Sequence, residues 1–200
     1  MRVFLDDRPL QADDSTLSAA LDAARASAER GGRIIVEALV DGAPAPDADL
    51  QNPESVTRRP YASELRFVSE SPRALVGDAL LNAADAVGAI RGKQAEAAQC
   101  IVRGQPEQAV ALLGEAVALW QMVRRALEEG GRLLGVSMLA APEVGPLAEE
   151  LARRLGAVRD ALTSQDWAAL GDELDEDMDR HAAAWADALG ALAGRVTSGA

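Results

Sequence analysis

Two hundred residues at 48% apolar and 26% charged content make a globular chain, long enough for one large domain or two small ones. A formal net charge of −12 sets it against phosphate backbones and anionic lipid, so neither nucleic acid nor a membrane surface is an expected partner. A single cysteine, Cys100, excludes an internal disulfide and a Cys-based zinc site, and its apolar helical neighbours make it a small core residue.

Aromatics are only 3%, and alanine supplies much of the apolar count, which biases the chain toward helix. Every basic residue but Lys93 is arginine; with the Ala and Gly load this fits a GC-rich bacterial genome. The opening residues 1–7 contain no apolar h-region, and no stretch approaches the ~18–20 continuous apolar residues that cross a bilayer. The expected location is the cytoplasm.

Residues 1–5 are a short apolar strand that meets a turn cluster, Asp6-Asp7-Arg8-Pro9, and resumes at Leu10 as a small hairpin. Asp14-Ser15 offers an N-cap, Leu17, Leu21, Ala24 and Ala28 recur at helical spacing, and Gly31-Gly32 stops the helix. Residues 34–40 are β-branched and close on Asp41-Gly42, a strand entering a turn. Residues 43–60 read as an irregular connection, and residues 65–68 alternate as a last strand.

The order strand, strand, helix, strand, connection, strand resembles that of a ubiquitin-like, β-grasp domain over residues 1–70. The likeness rests on the opening strand at 1–5, the strand and turn at 32–42, and the closing strand at 63–68. The first hairpin is shorter than in that family, and the sequence ends Thr197-Ser198-Gly199-Ala200 without a Gly-Gly pair, so conjugation is not implied.

Ser71-Pro72 then opens a helix with Ser as cap and Pro at the first position. Val76, Leu80, Ala83, Val87, Ile90, Gln94, Ala97 and Ile101 step by fours and threes, a heptad seam broken by one polar residue and ended at Arg103-Gly104. Gln105-Pro106 begins a second helix carrying Ala109, Leu113, Ala116, Trp120, Val123 and Leu127, with Gly130-Gly131 as its expected stop. Residues 133–142 form an apolar connection expected to pack on the helices. Leu147, Leu151, Leu155, Val158 and Leu162 mark a third helix. A fourth opens at Thr163 or Ser164 and runs through Trp167, Leu170, Leu174, Met178, His181, Trp185, Leu189, Leu192 and Val196. The expected fold is α+β: a small β-grasp-like domain followed by an antiparallel four-helix bundle over residues 72–196.

Candidate chemistry is sparse. Asp172, Asp175, Glu176 and Asp179 share one face of the expected fourth helix and could hold Mg²⁺ or Ca²⁺, although a solvated acidic face explains the same pattern. His181 is the only histidine and Met178 stands three residues before it, which excludes a paired Glu-x-x-His di-iron site. No nucleophile elbow and no phosphate-binding glycine loop is present, so neither a catalytic residue nor a cofactor is expected. The arginines at 124, 125, 132, 153, 154 and 159 read as scattered surface partners for the many acids.

Gln94 reads as a register-setting polar insertion in the seam, or as a residue that bonds a ligand or partner. Trp120, Trp167 and Trp185 read as core, with Trp120, Trp185 and Gln94 the candidates for partner binding. The leading expectation is a non-enzymatic bacterial adaptor or chaperone-like protein that binds a protein partner through its helices. A metal-dependent enzyme or switch and a homo-oligomeric scaffold are the alternatives. Flagellar and secretion export chaperones share its size, charge and helical architecture.

Overall fold

The computed structural model describes residues 1–174 and 176–199, with all their side chains except those of Glu176 and Asp177. The chain divides into two compact units, Met1–Pro72 and Arg73–Ala200.

The first unit is a mixed five-stranded sheet crossed by a helix. Strand β1 (Arg2–Leu5) turns back into β2 (Arg8–Leu10) through Asp6 and Asp7, both at positive φ, the conformation a two-residue hairpin requires. Helix α1 (Leu17–Arg30) follows, then β3 (Ile34–Val40), β4 (Ala43–Pro44), a short helix α2 (Asp47–Gln51), a 3-10 turn (Pro53–Ser55) and β5 (Glu64–Glu70). The sheet order is β2-β1-β5-β3-β4, with β1 and β5 parallel and the other pairs antiparallel. This arrangement is compatible with a β-grasp-like fold.

Leu65 and Phe67 on β5, Val3 and Leu5 on β1 and Ala38 on β3 share one core cluster with Leu17, Ala20, Leu21, Ala24 and Ala28 of α1. The buried Ser69 continues the inward row of β5 and is fully engaged. Its amide and hydroxyl donate to the Asp6 carboxylate at 2.8 and 2.6 Å, and Arg33 donates to its hydroxyl at 2.8 Å and to its carbonyl. Those two bonds from Ser69 hold the Asp6 carboxyl below the usual carboxylate range.

Three boundaries in this unit differ from expectation. The cap of α1 is Thr16, which accepts from Ala19 N at 3.3 Å, rather than Asp14-Ser15. The closing strand extends to Glu70. The stretch 43–60 is not irregular throughout, since the turn Asp41-Gly42, again at positive φ, returns β4 onto β3.

The second unit is helical: α3 (Pro72–Val102, its first residue the end of the first unit), α4 (Pro106–Leu134), α5 (Gly145–Ser164), α6 (Trp167–Glu173) and α7 (Glu176–Ser198). Two expected helix limits are overturned. Gly130-Gly131 lies inside α4, which ends four residues later at Gly135 with φ 69°. A Cβ on Gly131 would lie 2.6 Å from the Val136 carbonyl oxygen, and one on Gly130 would lie 3.0 Å from Val76. These glycines therefore admit the returning chain rather than stop the helix.

Thr163 and Ser164 do not open the fourth helix. They belong to α5, where their hydroxyls donate to the carbonyls of Arg159 and Asp160. Asp166 is the cap that starts α6, accepting from Ala169 N at 3.0 Å. The expected single fourth helix is thus two, α6 ending at Glu173 and α7 beginning at Glu176. The connection after α4 does pack inward: Met138 and Val144 are buried in the core.

Candidate functional site

The helical unit has two apolar cores. One joins Val76 to Ile90 of α3, Ala116 to Leu127 of α4 and Ala182 to Ala193 of α7. The other joins Ala97 and Cys100 of α3, Ala109 and Leu113 of α4, Val158 and Ala161 of α5, Leu170 and Leu174 near α6, and Met178 of α7. Between them, on three of the helices, comes a polar position: Gln94 on α3, Arg154 on α5 and His181 on α7. Gln94 and His181 are both more than nine-tenths buried.

His181 is satisfied as a neutral ring. Its Nε2 accepts the indole N–H of Trp185, one helical turn ahead, at 3.2 Å. Burial depresses its pKa, Arg154 and Arg153 add to the depression, and Glu150 and a bond to the Leu147 backbone oppose it. Arg154 Nε stands 2.7 Å from Glu150 Oε1, and its Nη1 stands 3.5 Å from Glu173 Oε1. Arg154 Nε and Glu173 Oε1 nonetheless have no aligned hydrogen bond. Glu150, bonded by Arg153 and flanked by Arg154, is held down at about 2.

Gln94 differs from His181. Its amide oxygen is buried without a partner among the described residues, an arrangement that costs about 1–3 kcal/mol when nothing occupies the vacant acceptor. Gln94 lines an open groove of ≈ 1220 Å³ that runs between α3, α6 and the start of α7. Ala95, Ala98, Ile101 and Val102 of α3 face Trp167 and Ala168 of α6 and Ala183 of α7 across it. At one end Arg91 donates to both carboxylate oxygens of Asp179, at 2.6 and 2.8 Å. That pairing holds the Asp179 carboxyl below its usual range.

The two other candidate residues meet elsewhere. The rings of Trp120 and Trp185 lie edge to face with centroids 5.5 Å apart, and both are buried. They line an apolar cleft of ≈ 270 Å³ between α4 and α5, with Val117, Leu139, Leu151 and Leu155. The Trp185 N–H goes to His181, whereas the Trp120 N–H is buried with no acceptor among the described residues. Sequence reasoning singled out the two tryptophans and Gln94 as one set, and the structure places them at two separate concavities. It missed the His181–Trp185 bond, although the four-residue spacing is its signal. It also missed the lining of both concavities, which depends on how the helices come together.

The acidic run does not form one continuous helical face. Asp172 is on α6 and Asp179 on α7, Asp179 is committed to Arg91, Asp175 lies outside the described residues, and the side chain of Glu176 is likewise outside them. Among the described residues, no three His, Cys, Asp or Glu side chains gather as a metal site would require. The arginines expected as scattered partners pair locally: Arg124 with Glu128, Arg153 with Glu150, Arg159 with Asp160. Among the described residues no helix is long and apolar enough to cross a membrane. No protein-family model, no curated protein and no solved structure matches the chain.

Proposed function

We propose that this protein is a non-enzymatic, cytosolic bacterial adaptor that receives a segment of a protein partner in the groove beside Gln94. The observation that supports this reading is a wide, open groove between helices, lined by alanines and other apolar residues together with charged ones such as Arg91, Arg103 and Asp172, with Gln94 on its wall. The alanines in its lining let a helix approach closely, and Ile101 and the 88%-exposed Val102 offer apolar contact. An export chaperone-like role belongs to the same class. Within this reading the first unit is ubiquitin-like, as its strand order and parallel β1–β5 pair suggest. The second is an antiparallel four-helix bundle of α3, α4, α5 and α7, with α6 as a short additional helix.

A photo-crosslinking amino acid at Val102 tests it in the native host, with Leu81, which is 51% exposed and outside the groove, as control. The expected result is a discrete adduct from position 102 that disappears when Ala95→Trp fills the groove. Identical adducts from both positions, or none from either, would overturn the reading.

A further inference from the structure

We propose that the free half of strand β3 is a docking edge for a second copy of this chain, extending the sheet across a two-fold axis at Ile35. This surface belongs wholly to the first unit and does not depend on the groove beside Gln94.

The edge is open. Strand β4 covers β3 only at Leu39 and Val40, with one further bond from Ala45 N to the Ala38 carbonyl. Residues 34–37 have β5 on one side and no strand on the other. Ser69, which stands opposite Ile35, turns its amide away to Asp6. Ile35 and Ser69 are therefore a pair whose backbone groups point apart, and the N–H and C=O of Ile35 face the open side. Unpaired edge groups of this kind are a template for another strand. The sheet's other margins carry proline, Pro9 on β2 and Pro44 on β4, which cannot donate to an added strand. Ile34, Ile35 and Val36 have no such block, and Val36 is 44% exposed. The bulge between Ile35 and Glu37 interrupts regular pairing, so the added strand is short and its register is pinned at Ile35.

What points to a second copy is self-complementarity. Across a two-fold, each Ile35 donates its N–H to the other's carbonyl, and Ile34 of each copy lies beside Val36 of the other. Leu21, Arg25, Ala28 and Glu29 of α1 wall a groove of ≈ 360 Å³ that follows β3 from Arg33 to Ala38. Arg25 and Glu29 are exposed, opposite in charge, and without an ion-pair partner among the described residues. Counting ~1.5 Å per residue along α1 and ~3.3 Å along β3 from the Gly31-Gly32 turn, their midpoint comes level with Ile35 to within about 4 Å. The axis that pairs Ile35 with itself therefore sets Arg25 of each copy toward Glu29 of the other. The groove lining holds two arginines, Arg25 and Arg33, and two glutamates, Glu29 and Glu37. Two chains of charge −12 can thus meet here without bringing net charge together.

Sedimentation equilibrium of the full chain, taken to about 1 mM so that weak association registers, should show a reversible dimer. Hydrogen exchange of the Ile35 amide should slow as the dimer forms, while that of Phe67 on the inner strand β5 stays constant. Arg25→Glu places like charges at both symmetric contacts and should weaken the dimer about tenfold. Adding Glu29→Arg reverses the pattern and should restore it. Both positions are exposed on α1, so the circular dichroism of the variants should match that of the unmutated chain. A monomer at about 1 mM would overturn the proposal. So would a dimer that Arg25→Glu leaves as tight, a double variant as weak as the single one, or Ile35 exchange that does not change with concentration.

Discussion

A primary amide buried without a partner raises the free energy of the folded state, and Gln94 is in that position. Gln94→Leu fills the same space, removes the unmet acceptor and orphans nothing, so it should stabilise the protein by about 1–3 kcal/mol. Urea denaturation followed by tryptophan emission measures this directly; a lower midpoint for the variant would mean that the amide does have a partner in solution. His181 makes a second prediction at this scale. Its folded pKa lies below the ordinary imidazole value of about 6.5 because burial disfavours the imidazolium. Between the two values the unfolded chain binds the proton and the folded chain does not, so stability is full above about pH 6.5 and falls as pH drops toward the folded pKa. Asp6, Glu150 and Asp179 have depressed pKa values, so the stability they contribute is lost as pH falls from the unfolded carboxylate range toward their folded values. Because the chain has one histidine, the part of the slope just below about pH 6.5 that His181→Gln flattens belongs to His181, while Asp6, Glu150 and Asp179 add their own loss as pH approaches the unfolded carboxylate range.

Glycines separate the two forces that shape the helices. Gly88 lies inside α3 with nothing within 4 Å of a built Cβ, so Gly88→Ala should stabilise by about 0.5–1 kcal/mol through backbone entropy alone. Gly131 also lies inside a helix, but its Cβ would meet a backbone oxygen at 2.6 Å, and backbone cannot move aside as a side chain can. Gly131→Ala should cost about 1–3 kcal/mol. Thermal unfolding of the two variants checks both signs, and equal behaviour would remove the packing explanation for the length of α4. The same contrast shows what the sequence made legible. The seams of α3 and α4 were readable because burial repeats with the helical period: seven of the eight α3 positions from Val76 to Ile101 are buried, Gln94 among them. In α5 the same reasoning placed five residues, of which only Val158 is buried, because a helix on the periphery half-covers its apolar face. Gly130-Gly131 misled because a glycine pair marks a helix stop or a close contact equally well, and only the position of Val136 decides between them. Gln94, Trp120 and Trp185 were visible as exceptions to the pattern. Their separation into a groove and a cleft was not, since local periodicity does not say which helices are neighbours.

At the scale of the whole chain, each unit carries its own core. The cluster around Phe67 and Leu65 uses only residues from the first unit, and the two helical clusters use only residues beyond Pro72. A unit of about seventy residues buries a smaller fraction of its surface than a larger one and is correspondingly marginal. Here the sheet gains from having its helix close in sequence and from the Ser69 clasp, which joins Asp6, Arg33 and β5 through four hydrogen bonds. A fragment of residues 1–72 should therefore fold alone and unfold in one cooperative urea transition, followed by far-ultraviolet circular dichroism because it contains no tryptophan. A fragment of residues 71–200 retains Ser71-Pro72 as the start of α3 and all three tryptophans, and should show the emission of buried indoles. Asp6→Ala distinguishes a self-sufficient first unit from a merely collapsed one. It removes the acceptor of two Ser69 bonds, so it should lower the midpoint of fragment 1–72 by an amount equivalent to about 1–3 kcal/mol. A broad, non-cooperative transition that Asp6→Ala leaves unchanged would mean that residues 1–72 do not constitute a domain.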